Sequence, residues 1–392
     1  MHLEYSTVKP SWRLPWRRLV GLHKGAGKWR TGPIGLEFGH TQLCLVQLQY
    51  GRGGIRIRAA VSQALAVDRQ TLFAEPARLK ASLQAALSHS AFKGRRVVTC
   101  LPPDQMKLKM FRYQVAVGGN EAQTVMEQVL DQVEGGAADW VVDYMPLRQP
   151  TADAVDRASL VAFARRIVVQ DYLELLRVVG LDVRALEIGP VVIRRLITAV
   201  QQHQEPAVNS LVINLGLNNT FLTMISGQRL ILDRDIDFAE LALIDKLARV
   251  LEIDTQRARR MLYQYGFHDQ DPGSAQVHAR HDQITNTLSE IMKPEFRQLI
   301  SEIDKVLSYV ASQSHGSGID RVYLLGGIAR WPGIDDYLAG LLNVPVKVLD
   351  PLRQLTATGQ ARADHCGDAQ DCIAAATYAL ATGCALRGLL EQ

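Results

Sequence analysis

Two stretches of the chain, separated by nearly half its length, repeat a pattern in which glycine follows a polar residue by two positions within an apolar run. The first contains Glu37-Phe38-Gly39 and the second contains Asn214-Leu215-Gly216. In each copy a short turn and a second apolar run follow, which predicts a β-hairpin. The predicted strands are 34–50 and 55–65 in the first copy and 211–225 and 229–236 in the second. A hairpin duplicated at this distance predicts two related lobes.

Apolar runs typical of strands alternate with helical patterns through the rest of the chain. The predicted strands are 95–101, 140–146, 160–164, 321–325 and 345–349. The predicted helices are 120–135, 168–179, 239–251, 255–265, 284–313, 334–342 and 372–390, and the polar stretch 353–371 is a predicted surface loop. Pro294 is expected to interrupt or kink the longest helix. This alternation predicts an α/β or mixed α+β protein, and 392 residues suffice for two to four subdomains.

Basic charge is concentrated in the first 33 residues. The chain carries a net charge of +4, but residues 1–33 alone carry +6, from seven basic residues and one acid, so the remainder carries −2. This arm also contains Trp12, Trp16 and Trp29. Cations mixed with indoles suit contact with an anionic membrane surface. A solvated tail is the alternative interpretation. Nucleic acid is not expected as a partner, because the folded remainder has no basic excess.

The five cysteines form no C-x-x-C pair, which favours a reducing compartment and predicts neither a disulfide framework nor a zinc site. No apolar run reaches about 18 residues, so no transmembrane helix is expected. Cys44 is interpreted as a small buried hydrophobic residue. The basic run Arg257, Arg259 and Arg260 is interpreted as a solvated helix face.

A third glycine element adds to the two hairpins. The apolar run 321–325 leads into Gly326-Gly327 ahead of a predicted helix. Tight glycine turns direct backbone N–H groups into a concavity that binds anions, and a helix N-terminus favours the same charge. Three such elements could converge on one phosphate-bearing ligand.

The residues around these glycines resemble a known superfamily. Ile34–Thr41 resembles the first phosphate loop of the actin, chaperone and sugar-kinase superfamily, Leu211–Thr220 the second, and Val322–Gly333 the adenosine motif. Within that superfamily the order of motifs is similar to the PilM and MshI family of type IV pilus systems, the MSHA type included.

The resemblance implies a two-lobed actin-like fold, that is, a duplicated ribonuclease H-like fold, with a subdomain inserted in the first lobe. The implied divisions are a basic, Trp-containing N-terminal arm at 1–33; the first lobe with its phosphate hairpin at 34–94; the inserted subdomain and the return to the first lobe at 95–190; and the second lobe with the other two motifs at 191–392.

The same resemblance implies ATP and Mg²⁺ as possible ligands, with Glu37 and Asn214 as a weak magnesium site. The residues implied for nucleotide binding are Glu37, Gly39, His40, Thr41, Asn214, Gly216, Asn218, Thr220, Gly326, Gly327 and Ala329. No catalytic residue is assigned. Another interpretation is that Glu37 and Asn214 only cap turns in a protein that binds no nucleotide.

Three departures from the family pattern weaken the case for hydrolysis. Glu37 and Asn214 stand where active relatives have aspartate, and Cys44 stands where a lysine is expected. An amide supplies an oxygen without charge, and a thiol removes a phosphate counter-charge. We therefore expect at most weak phosphoryl-transfer activity, since that reaction depends on electrostatic stabilisation.

The family resemblance implies a scaffold in the cytoplasm, at the inner face of the inner membrane. The implied partner is the cytoplasmic tail of a PilN-type membrane protein within a pilus assembly complex, and the arm would add peripheral membrane contact. One alternative is an active ATPase or kinase of the same superfamily. Another is an FtsA-like filament-forming protein, although the membrane-targeting helix of FtsA is C-terminal and the amphipathic candidate here is N-terminal.

Overall fold

The computed structural model describes residues 29–51, 54–88, 91–116, 119–147, 156–201, 208–267, 278–313, 318–357 and 376–390. The predictions for the arm before Trp29, and for most of the polar loop 353–371, lie outside these residues. Among the described helices, none combines the length and the apolar character needed to cross a membrane.

The first half of the chain forms a five-stranded sheet. Its strands are β1 (Arg30–Phe38), β2 (Gln42–Gly51), β3 (Gly54–Ala64), β4 (Arg96–Cys100) and β8 (Asp182–Glu187). The strand order is β3-β2-β1-β4-β8, with β1 antiparallel to β2 and parallel to β4. The first strand begins at Arg30, inside the segment predicted as an arm, so the last residues of that segment belong to this sheet.

A second five-stranded sheet repeats this plan. Its strands are β9 (Asn209–Leu215), β10 (Thr220–Ser226), β11 (Arg229–Ile236), β12 (Arg321–Gly326) and β13 (Val346–Val348). The order is β11-β10-β9-β12-β13, with β9 antiparallel to β10 and parallel to β12. Each sheet thus has a three-stranded antiparallel meander followed by parallel strands, which confirms the predicted duplication.

The predicted hairpins were wrong in one respect, because each long first strand is two strands joined by a tight turn. The Gly39 N–H donates to Gln42 O at 2.9 Å, and the Gly216 N–H donates to Asn219 O at 3.1 Å. Apolar residues lie on both sides of each turn, and the prediction joined them into one strand. The glycines therefore lie in turns at the carboxyl end of the central strand of each sheet and not within a strand.

A smaller antiparallel sheet lies between β4 and β8 in the chain. Its strands are β5 (Lys107–Gln114), β6 (Trp140–Pro146) and β7 (Asp156–Arg165), in the order β5-β7-β6. Helix α3 (Glu121–Leu130) covers it, and Asn120 caps that helix by accepting from Ala122 N at 3.1 Å. Val125 and Val129 of α3 pack against Phe163 of the sheet in a separate small core.

The remaining helices cover the faces of the two large sheets. They are α1 (Arg69–Ala74), α2 (Pro76–Ser88), α4 (Arg166–Val178), α5 (Gly189–Val200), α6 (Glu240–Val250), α7 (Thr255–Tyr265), α8 (His278–Gln313), α9 (Ile334–Leu342), α10 (Pro351–Ala357) and α11 (Ala379–Leu390). Helix α8 continues through Pro294 and is not interrupted there. Helix α10 occupies the start of the predicted polar loop, where Asp350 accepts from the Arg353 N–H at 2.9 Å.

Helices α5 and α11 lie between the two large sheets. Although α11 follows the second sheet in the chain and was assigned to the second lobe, it packs across β1 and β2 of the first sheet. Gly35 permits this packing, because a side chain there would clash with the Ala381 carbonyl of α11. A core shared by the lobes forms around α5 and α11 and includes Leu48, Ile193 and Val212.

Buried charges reinforce this junction. Arg195 of α5 pairs with the Glu187 carboxylate at 2.7 Å and donates to Gly383 O at 3.0 Å. Arg387 of α11 forms a second ion pair with Glu187, whose side chain is 1% exposed. Strand β8 is thus connected by ion pairs to both α5 and α11. These two helices in turn contact both large sheets.

Candidate functional site

The three predicted glycine elements meet in a cleft between the two large sheets. The cleft encloses about 200 Å³ and is lined by the β1–β2 turn, the β9–β10 turn and the turn after β12. His40, Thr41 and Arg69 also line a larger space of about 600 Å³, together with residues 65–70 and Asp104. Sequence motifs far apart in the chain therefore line one cleft.

The first loop presents a buried acid whose charge is disfavoured. Glu37 pairs across the strands with Cys44, and the backbone N–H of Ala381, in the first turn of α11, donates to its carboxyl group. Its Oε2 atom is buried and makes no hydrogen bond. Burial raises the pKa of Glu37 to about 7, although the Ala381 hydrogen bond and the charge of Arg69 act in the other direction. Glu37 therefore caps α11 and keeps one oxygen available.

Burial disfavours charge on the neighbouring side chains of this loop. Burial raises the pKa of the Cys44 thiol to about 12, so it stays protonated beside Glu37. Burial lowers the pKa of His40, and the charge of Arg69 lowers it further, which favours the neutral imidazole. As predicted from the sequence, Cys44 supplies no counter-charge for a phosphate.

The second loop and the turn after β12 are held together by the parallel strands β9 and β12. The Gly327 N–H donates to Leu215 O at 2.9 Å. Gly326 has a φ of +88°, and a side chain there would clash with the same carbonyl and come within 3.0 Å of Asn214 Oδ1. Glycine is thus required at this turn, and Asn214 lies beside it at the wall of the cleft.

Most of the predicted binding residues line this site, and two do not. The residues at the cleft wall are Glu37, Gly39, His40, Thr41, Asn214, Gly216, Gly326 and Gly327. Asn218 lines the adjoining larger space. Thr220 is fully buried and donates to Phe238 O at 2.7 Å, which ties β10 to the segment before α6. Ala329 packs in the core of the second lobe.

A polar cluster beside the second loop and the turn after β12 was not predicted. Glu240, at the start of α6, is 2% exposed, and a side chain at Gly327 would clash with its carboxylate. The Tyr263 hydroxyl donates to Glu240 Oε1 at 2.7 Å. Burial raises the pKa of Glu240, partly offset by the Tyr263 hydrogen bond and by the charges of Arg259 and Arg330.

Two arginines flank the Tyr263 ring. The guanidinium carbon of Arg330 lies 5.1 Å from the ring centroid and that of Arg259 lies 5.5 Å from it. The Nε atom of Arg330 is buried and makes no hydrogen bond. The interpretation of the 257–260 run as a solvated face is therefore wrong for Arg259, which lines the cleft, although Arg257 and Arg260 are exposed.

The residues present fit a nucleotide in several respects. Glycine turns let backbone approach phosphates closely, and the guanidinium and carboxylate groups beside the second loop suit a base and sugar hydroxyls. The unbonded Oε2 of Glu37 and the unbonded Nε of Arg330 are buried polar atoms that a ligand would satisfy. Mg²⁺ commonly binds through one or two protein oxygens plus substrate phosphates, so Glu37 and Asn214 could hold it only together with a nucleotide.

Among the described residues, no group of three or more His, Cys, Asp or Glu side chains could hold a metal ion by itself. Any magnesium at this site would therefore depend on ligand phosphates for most of its coordination.

Comparison with known proteins identifies a family and similar solved structures. The family model for type IV pilus assembly protein PilM matches residues 35–389. Among solved structures, the PilM-PilN type IV pilus biogenesis complex is 22% identical with a TM-score of 0.72, covering 91% of this chain and 98% of that chain. No match was found among the curated proteins.

More distant structures share lower similarity. The ethanolamine utilization protein EutJ from Carboxydothermus hydrogenoformans is 14% identical with a TM-score of 0.47, covering 88% of this chain and 92% of that chain. MreB5 of Spiroplasma citri bound to AMPPNP is 13% identical with a TM-score of 0.46, covering 84% of this chain and 95% of that chain. The family match and the PilM-PilN structure confirm the predicted two-lobed actin-like fold.

Proposed function

Because the chain belongs to the family of type IV pilus assembly proteins PilM, we propose that it is a scaffold of a type IV pilus assembly complex, in the cytoplasm at the inner membrane. Its partner in this proposal is the cytoplasmic tail of a PilN-type membrane protein. The nucleotide cleft serves binding, and hydrolysis there is slow or absent.

The observation that carries the proposal is the similarity to the PilM-PilN complex. The similar region covers 91% of this chain, so it includes at least part of segment 107–165, which carries the inserted sheet. The family resemblance implies that the partner tail binds in a groove between the first lobe and this segment.

The chemistry of the cleft supports binding over catalysis. Burial raises the pKa of Glu37 to about 7, so its carboxylate is only partly charged at neutral pH, while Cys44 is neutral and Asn214 is an amide. Phosphoryl transfer depends on positioned charge around the transferred group, and these three positions supply little of it. The base and sugar would lie near Glu240, Tyr263 and Arg330, and the phosphates near the two glycine turns. A bound Mg²⁺ would supply charge neutralisation at the phosphates.

The partner proposal is tested by co-purification from cells. The tagged full-length chain is isolated from membranes of cells that contain or lack the PilN-type protein. Recovery of the PilN-type protein with the tagged chain, and a smaller amount of the tagged chain on membranes of cells without that protein, would support the proposal. Equal recovery of the tagged chain from both sets of membranes would contradict it.

Peripheral membrane contact by the arm is a separate part of the proposal. Since β1 begins at Arg30, deletion of residues 1–28 leaves the first sheet intact, whereas deletion of residues 1–33 would remove β1 residues that pair with Tyr50 and Gln49. In cells without the PilN-type protein, the 1–28 deletion should reduce the residual membrane-bound fraction. An unchanged fraction would argue against lipid contact by the arm.

A further inference from the structure

A buried cation lies at the end of the cleft where the glycine turns face each other. Arg69 is the first residue of α1, and its side chain is 4% exposed. Its Nη1 donates to Phe38 O at 3.1 Å, one residue before the Gly39 turn, and its Nη2 donates to Asp104 Oδ1 at 2.5 Å. A guanidinium held this close to the first loop is an anion-binding group wherever ligand space reaches it.

Ligand space does reach Arg69. It lines both the inter-lobe cleft and the larger space beside it, together with His40, Thr41 and Leu217. These neighbours belong to the two turns that close on either side of the cleft. Arg69 is also near enough for its charge to lower the pKa of both Glu37 and His40. A phosphate placed between the two turns would therefore lie in the field of Arg69.

The acid that holds Arg69 is replaceable. Asp104 lies in a short 3₁₀ turn, Pro103–Gln105, which connects β4 to the inserted sheet, and its side chain is 36% exposed. A partly exposed carboxylate contributes little through its ion pair and regains hydration when it is displaced. A terminal phosphate offers more charge and three acceptor oxygens, which match the planar fork of a guanidinium.

The family pattern also expects a lysine to face the phosphates from β2, and this chain lacks that lysine. Cys44 stands at the position where a lysine is expected, and its thiol is neutral. We propose that Arg69 binds the terminal phosphate of a nucleoside triphosphate, and that this phosphate replaces Asp104 as the partner of the guanidinium. This inference rests on the proposed nucleotide cleft and assigns it a preference for triphosphate over diphosphate.

The experiment measures the affinities of the full-length chain for AMPPNP and for ADP, each with Mg²⁺, by calorimetry. The wild-type chain should bind AMPPNP more tightly than ADP. Arg69→Gln should lower the affinity for AMPPNP about tenfold or more, because a charge-assisted hydrogen bond is lost, and leave the affinity for ADP within about twofold. Arg69→Lys should keep part of the preference.

Asp104→Asn provides a change in the opposite direction. It removes the carboxylate that competes for Arg69, so the affinity for AMPPNP should rise while that for ADP stays constant. It also keeps the test decisive if Arg69→Gln fails to fold, which the unfolding midpoint of each variant would reveal.

Three results would overturn the inference about Arg69 while leaving nucleotide binding intact: an equal loss of both ligands in Arg69→Gln, no preference for AMPPNP in the wild type, or weaker AMPPNP binding in Asp104→Asn. If the folded wild type binds neither ligand, the proposed nucleotide role of the cleft fails, and the role of Arg69 fails with it.

Discussion

The packing of helix α11 against β1 makes Gly35→Ala a demanding test of how the lobes are joined. The added methyl group would lie 2.6 Å from the backbone nitrogen of Ala385 and closer still to the Ala381 carbonyl. Carbon and backbone atoms prefer separations of about 3.5 Å, so α11 must retreat by roughly 1 Å or more. Both obstacles are helix backbone, and neither can move aside alone.

The cost of that retreat follows from what else α11 touches. Gly388 packs against Pro33 and Gly383 against Val192, each close enough that a side chain would clash. A shift of α11 would loosen these contacts together with the shared core. Overpacking of a core costs about 1–3 kcal/mol. The gap that opens when α11 retreats by roughly 1 Å also weakens the dispersion contacts of its neighbours. We therefore expect the free energy of unfolding to fall by about 3–5 kcal/mol.

Urea denaturation followed by far-UV circular dichroism measures this loss as a change in the free energy of unfolding. Gly340→Ala is the matched control, because Gly340 lies in helix α9 with open space around its added methyl group. Alanine is favoured over glycine in a helix, so this control should be stabilised by about 0.5–1 kcal/mol. A Gly35→Ala variant within about 0.5 kcal/mol of wild type would refute the close packing of α11 on the first sheet.

Three further predictions concern buried charges. Burial raises the pKa of Asp233 to about 7, so the folded state holds a proton that the unfolded state releases, and stability falls as pH rises from about 4 to about 7. Asp233→Asn should therefore be more stable than wild type at pH 8 by about 2 kcal/mol or more and no more stable at pH 4, as measured by urea denaturation at both pH values. Glu240→Gln removes a carboxylate acceptor from the cleft and should weaken nucleotide binding about tenfold by calorimetry, with little change in the unfolding midpoint. Unchanged affinity would place the ligand elsewhere. Glu187→Gln removes the buried carboxylate that pairs with Arg195 and Arg387 and should cost about 3–5 kcal/mol, whereas Glu174→Gln, in an exposed pair, should have a much smaller effect. Equal effects of these two substitutions would contradict the assigned burial.

The duplicated architecture could be predicted because the glycine motifs are local. Glu37-Phe38-Gly39 and Asn214-Leu215-Gly216 occupy equivalent turns, with the same hydrogen bond from glycine to the residue three positions later. The turns themselves were missed because the apolar runs on either side of each turn were joined into one strand, although segments 39–42 and 216–219 contain polar residues that mark a turn. Hydrophobic pattern reports which residues are buried and does not by itself show where the chain reverses direction.

The wall of the cleft could be predicted only in part. The glycine loops carry a recognisable pattern, but Arg69, Glu240 and Arg259 come from helices outside those motifs. Their role depends on tertiary packing, which no local spacing encodes. Arg330 lies within the quoted adenosine motif, so its position could have been noted from the sequence. Thr220 was assigned to the site by its place in the motif, but its hydroxyl bonds to Phe238 O inside the second lobe.

Calorimetric titration of a peptide with the sequence of the cytoplasmic N-terminal tail of the PilN-type protein from the same genome tests the central claim most directly. The titration uses the purified full-length chain, with a scrambled peptide of the same composition as the control. Saturable binding of the tail at one site per chain, with none for the scrambled peptide, is the result that the scaffold role predicts. No binding of the tail to a chain that still unfolds cooperatively would contradict that role.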